Sequence, residues 1–417
     1  MLGLLWLTAC LSAIDRIAMS VAIIPMAEEF HFTDTTKGSI SSLLSFGYAL
    51  VILPAGFLAG QWSPRLLMAS GIALWSLATI ATPLTIVSAA SSIGPLLIAR
   101  MLVGAGESIL LPTSTRILNE WTLVNEKSRA LAFLFSGFQS GTIVALLLSP
   151  VILDFFGDWR ELFYVYGSGS LLLLLPWLFL AKDSPATPKE GNDFNPNDSQ
   201  LSIKDAPWKE MIQSKGAWAM FLAHSAKNWG NYLALAWTPT FYLEQYGIGV
   251  RGSAWMSILP CVAGVMGGIV AGTTADSVVQ RIVDPEDETA RTNIRKLFQS
   301  IGLLVPALSL GLLAWHIPEQ AWVAQLYIAV NIGFLSFNSA GYDAANQEKS
   351  GPKWAGLLYS VTSLPAVLIG TGATYVTGRI LDASGQDWSL VYGLNALIYV
   401  LGAIAFIILY DSRKEFD

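Results

Sequence analysis

The chain has 417 residues, 53% hydrophobic and only 13% charged, with a mean hydropathy of +0.52. A soluble chain carries about a quarter charged residues, so a soluble enzyme is a poor fit. The net charge of −6 and the lack of a basic face argue against nucleic-acid binding.

Apolar runs of about 20 residues recur from end to end, which marks a polytopic all-α membrane protein seated in a lipid bilayer. Hydropathy predicts twelve spans. The first six are 3–27, 38–60, 65–87, 94–118, 129–153 and 160–181. The second six are 215–242, 252–275, 294–315, 320–344, 354–380 and 388–410. Between the sets lies KDSPATPKEGNDFNPNDSQLSIKDAPWKE, rich in Pro, Asp, Asn and Lys and without apolar periodicity. It reads as a solvated linker. The expected organisation is an N-terminal six-helix bundle over 1–181, a cytoplasmic linker over 182–214 and a C-terminal six-helix bundle over 215–417. The first span begins almost at Met1, so no removable signal or transit segment is visible: either none is needed or one has been trimmed away.

Orientation follows the Lys/Arg distribution. The linker (Lys182, Lys189, Lys204, Lys209, Lys215), the loop after span 8 (Arg281, Arg291, Arg295, Lys296) and Lys127, Arg129, Lys349, Lys353, Arg413 and Lys414 fall on one side. The other side has only Lys37, Arg160, Arg251 and Arg379. Both termini and the linker are therefore expected on the cytoplasmic side or its equivalent. Cys10 and Cys261 both lie in apolar spans and read as small core residues, not as a disulfide or a metal site. Trp121 and Trp159, near span ends, read as interface anchors.

The two halves resemble an internal repeat. Span 8 ends in Gly272-Thr-Thr-Ala-Asp276 followed by Arg281, and span 2 ends in Gly56-Phe-Leu-Ala-Gly60 followed by Arg65. An acid and an arginine at a cytoplasmic helix end suit a gate latch, so Asp276 and Arg281 are candidate gating residues. The first copy has lost its acid at Gly60.

The stretch Arg100–Pro112, RMLVGAGESILLP, holds an arginine and a glutamate inside an apolar span. Each such charge costs roughly 2.5–3.5 kcal/mol on insertion scales, so it persists where it faces a partner, a cavity or a substrate. Arg100 and Glu107 share a helix face two turns apart, too distant for one tight ion pair. Gly104 and Gly106 let another backbone approach. Asp15 and Arg16 lie midway along span 1, and Lys227 midway along span 7. Three helices thus bring charge to one depth, where transporters built from repeats hold their substrates.

The signs allow a mechanism. Arg16 and Lys227, from different halves, can clamp one anion: Arg offers a planar fork and Lys a point charge. Asp15 and Glu107 can take up protons at modest cost, because apolar surroundings disfavour the charged carboxylate. A proton there frees a cation for substrate, and its loss lets the carboxylate reclaim the cation. Sodium can neutralise the same carboxylates. His224, one turn before Lys227, can tune it or relay a proton. Tyr48 can offer its hydroxyl. No phosphate-cradling GxxxxGK[ST], HExxH, paired CxxC or GxSxG motif is present, so no enzyme chemistry, ATP-driven pumping, cofactor or resident metal is expected.

Several motifs together carry a family resemblance over almost the whole chain. Span 1 reads DRIAMSVAIIPMAEEF and span 2 SSLLSFGYAL. Span 4 reads RMLVGAGESILLP, followed by NEW and EKSRA, and HSAKNWG, RTNIRK and NQEKSGPKWAGLL come later. The chain resembles the anion/cation symporter branch of the major facilitator superfamily, which includes sialin, vesicular glutamate, bacterial galactonate and plastid phosphate transporters; the plastid group is the most similar. The resemblance implies the major facilitator fold of twelve transmembrane helices in two six-helix bundles. It implies that Arg16 binds the substrate anion, that Asp15 and Glu107 carry the coupling protons, and that Arg100 also serves transport. Lys227 stands where relatives have arginine or histidine, and Tyr48 where galactonate carriers have a substrate-contacting tyrosine. Three departures stand out. The Asn of the span 1 motif is Ala18, the N-H-x-D of span 10 is Asn346 to Lys349, and the Ser-Asn pair of span 11 is Thr362-Ser363. Asn346, Thr362 and Ser363 complete the candidate substrate contacts.

The resulting expectation is a monomeric, multi-pass secondary transporter of phosphate or a small organic anion, working by alternating access. The coupling ion is H+ or Na+, with protons leading. Its membrane is a plastid or other organelle membrane, or else the plasma membrane. A non-transporting anion receptor is the alternative class.

Overall fold

A computed structural model of the chain describes all residues except 87–91, 123–126, 184–206, 283–287, 350–354, 414 and 416–417. It divides into two compact units, Met1–Ser202 and Ile203–Asp417. Unit 1 contains α1 (Leu2–Phe30), α2 (Asp34–Gln61), α3 (Pro64–Ala81), α4 (Gly94–Glu107), α5 (Leu110–Trp121), α6 (Lys127–Phe156), α7 (Arg160–Leu172) and α8 (Leu174–Leu180). Unit 2 contains α9 (Trp208–Gln213), α10 (Lys215–Tyr246), α11 (Val250–Met256), α12 (Ile258–Ile282) and α13 (Glu288–Trp315). It continues with α14 (Ala321–Leu335), α15 (Tyr342–Lys349), α16 (Ala355–Ser384) and α17 (Trp388–Leu409). No strand occurs among the described residues.

Among the described residues, eleven helices or helix pairs are long and apolar enough to cross a membrane. The remaining expected span, the seventh, exists as α10, a 32-residue helix. Its hydropathy is diluted by His224, Lys227, Asn228 and Asn231, polar residues inside a helix of membrane-spanning length. Large apolar side chains such as Phe155, Phe179, Leu308 and Ile408 point outward, the inverse of a soluble surface and the form that lipid demands.

Several helices overrun the apolar stretches that predict them. Helix α13 starts at Glu288, against an expected 294, because helical hydrogen bonding continues into its charged first turns. Three expected spans are each broken into two helices. Pro112, Pro176 and Pro260 are the third residues of α5, α8 and α12. A proline lacks the N–H that would bond the carbonyl four residues back, and its ring crowds that carbonyl. The ladder therefore lapses around 108, 172 and 256, where each preceding helix ends. Six other prolines, Pro25, Pro54, Pro150, Pro239, Pro306 and Pro365, lie within continuous helices.

Close backbone approach fixes the helix pairs. Gly104 of α4 packs on the Leu44 carbonyl of α2, and Gly47 of α2 on the Met101 backbone. In unit 2, Gly267 of α12 packs on the Gly333 backbone of α14. Spans 2 and 4 thus meet as spans 8 and 10 do, as an internal repeat requires. Without a hydrophobic drive between helices in lipid, such van der Waals contact supplies much of the association.

The tenth span breaks differently, without proline. A short 3-10 turn, Ser336–Ser339, separates α14 from α15. Buried Asn338 donates its amide to the carbonyls of Gly302 (2.9 Å) and Leu335 (2.7 Å). Gln299 donates to the Asn338 side-chain oxygen (2.6 Å) and accepts from the Tyr342 backbone N–H (2.9 Å). Two amide side chains thereby satisfy the groups that the break exposes, and they set where Tyr342 and Asp343 stand.

Lys349, at the end of α15, is fully buried and holds the chain's end. Its ammonium reaches Asp411 Oδ1 (2.6 Å) and Glu415 Oε1 (2.7 Å), and the Glu415 N–H donates to the Lys349 carbonyl (3.0 Å). The hydroxyl of Ser412 donates to the Glu288 carbonyl (2.7 Å). Partial burial pushes the Asp411 carboxyl up, but the hydrogen bond and charge of Lys349 outweigh this and hold it below its ordinary value. Its contribution to stability is complete above the unfolded value and is lost as pH falls through the lowered folded value. Lys349→Asp, which restores the acid of the resembled family, sets three acids together. It is expected to destabilise unit 2 by on the order of 1–3 kcal/mol, less than for an enclosed pair because Asp411 and Glu415 retain solvent. A lower melting temperature of the solubilised variant checks this; unchanged melting contradicts it.

Candidate functional site

Asp15 and Arg16 are adjacent on α1, and consecutive helical residues diverge by about 100°. Asp15 turns fully inside unit 1, where Ser170 of α7 donates to its Oδ2 (2.6 Å). Its Oδ1 has no hydrogen-bond partner. Arg16 points elsewhere. Its Nη2 and Nε both donate to Glu107 Oε2, at 2.6 and 3.1 Å. Its guanidinium lies 5.6 Å from the centre of the Tyr48 ring, in cation–π range. The Arg16 side chain is 34% exposed, whereas that of Glu107 is 1% exposed. Both donors use one oxygen, so Glu107 Oε1 is left buried without a partner.

Glu107 is the last residue of α4, before the break that Pro112 imposes. Arg100, two turns earlier, is fully buried, and its Nε and Nη1 have no hydrogen-bond partners. It lies within electrostatic reach of Asp15, Glu107 and Arg16. Two arginines and two carboxylates thus form one charge-balanced group inside unit 1. Every change of protonation in it alters the net charge felt at Arg16, the member with solvent access.

In unit 2, His224 and Lys227 lie on one face of α10 and converge on Tyr342. The His224 ring stacks on the tyrosine at 4.7 Å between centroids, and Lys227 Nζ lies 3.1 Å from its hydroxyl. His224 is buried, with Nδ1 unpartnered, which makes it a packed ring rather than a group open to solvent. Asp343 Oδ2 stands 3.9 Å from Lys227 Nζ. Thr362 and Ser363 both donate their hydroxyls to the Tyr359 carbonyl, at 3.1 and 2.7 Å. Asn346 is buried on α15.

The candidate gate is only partly described. The surroundings of Gly60 and the side chains of Asp276 and Arg281 lie outside what is described. In the first copy, Asp183 takes hydrogen bonds from the Ser63 hydroxyl and the Arg65 N–H, both at 2.8 Å. Arg116 donates to the Ala59 carbonyl and pairs with Glu120. Trp159 is buried and donates to Glu29 (2.6 Å), so it is a packed residue and not an interface anchor. Cys10 and Cys261 are free thiols. No cluster of three metal-ligating side chains occurs among the described residues.

Sequence reasoning missed Asp343 and Tyr342. The predicted span 10 stops at 344, so a charge at 343 read as a helix end. The rule that exposed Glu107, an acid within membrane-spanning chain, would have found Asp343 had the span been carried to Asn346, where it ends.

Buried charge inside two units of membrane-length helices fits a polytopic membrane protein. Residues 5–371 match the model of the Major Facilitator Superfamily, and the chain belongs to that superfamily. It is 31% identical to the chloroplastic ascorbate transporter of Arabidopsis thaliana, over 97% of this chain and 73% of that protein. It is also 31% identical to the chloroplastic sodium-dependent phosphate transport protein 1 of the same plant, over 97% and 77%. Among solved structures, the E. coli xylose transporter matches with a TM-score of 0.77 at 13% identity, over 99% of this chain and 96% of that one. A bacterial homologue of the human lysosomal transporter Spinster gives 0.74 at 17%, over 98% and 94%. These structural likenesses establish the fold. The relatives are transporters rather than enzymes, and the chain is a multi-pass integral membrane protein.

Proposed function

We propose that this chain carries inorganic phosphate or a small organic anion across a membrane, coupled to protons, with Arg16 as the cation that meets the anion. The observation that carries this is the Arg16–Glu107 ion pair: a partly exposed arginine held by a buried carboxylate whose second oxygen is unpartnered. While Glu107 is ionised, it neutralises Arg16 and competes with the anion. A proton on Glu107 removes that competitor, and Arg16 presents its fork to phosphate or carboxylate. Loss of the proton returns Arg16 to Glu107 and expels the anion. Asp15 and Arg100 set the background charge, and Tyr48 orients the guanidinium. Lys227 offers a second cation in unit 2, with His224 packed beside it. Asn346, Thr362 and Ser363 supply polar contacts, and Asp276 with Arg281 closes a gate. The relatives named for ascorbate and phosphate support a small anion. The protein acts as a monomer in a plastid membrane.

Sodium coupling is the second possibility, favoured by the relative named for sodium dependence. Uptake of labelled phosphate into proteoliposomes separates the two, with ascorbate, glutamate and sugar acids as competitors. Accumulation under an inward proton gradient without sodium is expected. Accumulation only with sodium replaces the proton, and anion binding without accumulation makes the protein a receptor.

A further inference from the structure

The repeat places a second cation–carboxylate pair in unit 2. Arg16 and Glu107 come from spans 1 and 4; Lys227 and Asp343 come from spans 7 and 10, six further along in each case. The likeness goes beyond position. Each cation lies over a tyrosine ring, Arg16 at 5.6 Å from Tyr48 and Lys227 at 5.4 Å from Tyr342. Each carboxylate stands at a break in its span. Each has one buried oxygen without a hydrogen-bond partner, Glu107 Oε1 and Asp343 Oδ1. Both Lys227 and Asp343 keep about a quarter of their side-chain surface, at 27% and 28%.

We propose that Asp343 is a second coupling carboxylate: ionised, it holds Lys227, and on taking up a proton it releases Lys227 to the anion. The proposal rests on the anion-transport function above and adds a second proton to it. Asp343 is a positioning residue, since it acts on the anion through Lys227. The pair is looser than its counterpart, 3.9 Å against 2.6 Å. Lys227 donates its hydrogen bond to the Tyr342 hydroxyl instead (3.1 Å), so parting from Asp343 breaks no direct hydrogen bond between the two. From the elements around it, Lys227 and His224 of α10 and Tyr359 of α16 face this cluster. Gln299 of α13 fixes the Tyr342 backbone, and Arg295 of α13 is engaged by Glu348, five residues beyond Asp343. Lys227 is therefore the cation beside Asp343 among the described residues.

Two protonation steps give uptake a limiting pH slope of about two, and removing one leaves about one. Labelled phosphate uptake across a pH series, with the wild type, Asp343→Asn and Asp343→Glu, tests this. Asp343→Asn is expected to halve the slope and to lower KM and kcat for phosphate together, because Lys227 is never reclaimed. Asp343→Glu is expected to restore the slope. A wild-type slope and KM in Asp343→Asn overturn the proposal while leaving Glu107 in its role. If Asp343→Asn does not fold, Asp343→Asn/Lys227→Gln, which buries no unpaired charge, carries the slope measurement. Infrared titration of the carboxyl stretch in unliganded protein decides the matter independently of transport. A band lost in Asp343→Asn and kept in Glu107→Gln supports the assignment; an unchanged spectrum overturns it. Failure of the wild type to move phosphate in any gradient counts against the transport function, and the infrared result still judges Asp343.

Discussion

Arg16→Gln is expected to reduce anion uptake by about 100-fold while leaving the protein folded. A hydrogen bond to a charged group is worth about 1.5–3 kcal/mol, and about 1.4 kcal/mol is tenfold in affinity, so losing a two-pronged contact removes most binding. Folding should survive for a reason specific to this site. Removing one member of a buried pair normally leaves an uncompensated charge, at about 3–5 kcal/mol. Here Arg100 still lies within electrostatic reach of Glu107 and balances its charge. Arg16→Lys keeps the charge but loses the fork, so it should restore only part of the uptake. Uptake is read beside melting temperature and monodispersity. Retained uptake would remove Arg16 from the anion site.

Glu107→Gln is expected to uncouple one proton and not to stop the carrier. Glutamine keeps the size and one acceptor oxygen, so the packing of α4 against α2 at Gly104 and Leu44 should persist. What disappears is the charge that reclaims Arg16. The variant should exchange labelled for unlabelled anion across the membrane at a substantial rate, yet concentrate it less than the wild type when a pH gradient is imposed. Unchanged uphill accumulation would reject this role for Glu107 and turn attention to Asp15.

Hydropathy revealed the spans because lipid leaves little freedom: a crossing helix must be long and apolar. It could not reveal the breaks at Pro112, Pro176 and Pro260, since proline ends one helix and opens another without changing the average. Pro25 and Pro306, inside continuous helices, show that proline alone does not decide this. The charges were visible as residues that pay a penalty for their place, but their partners were not. Asp15 and Arg16 look like a pair in sequence, and the helix sends one to Ser170 and the other to Glu107. That divergence follows from the 100° turn, yet which helix receives each side chain depends on packing. Arg100 was expected among the substrate contacts; its complete burial makes it an internal counter-charge in the proposed scheme. The clasp of Lys349 on Asp411 and Glu415 was hidden because it joins a span end to a tail far along the chain.

The most direct test is the pH inside proteoliposomes when anion alone is driven in. With a pH dye in the lumen, no imposed ion gradient and no sodium, an inward gradient of phosphate should acidify the lumen of wild-type vesicles. Glu107→Gln vesicles should acidify less for the same amount of phosphate admitted, since the dissociation of phosphate itself is common to both and one coupled proton is gone. Equal lumenal acidification per phosphate admitted in wild-type and Glu107→Gln vesicles would contradict the coupling of Arg16 and Glu107 to a proton.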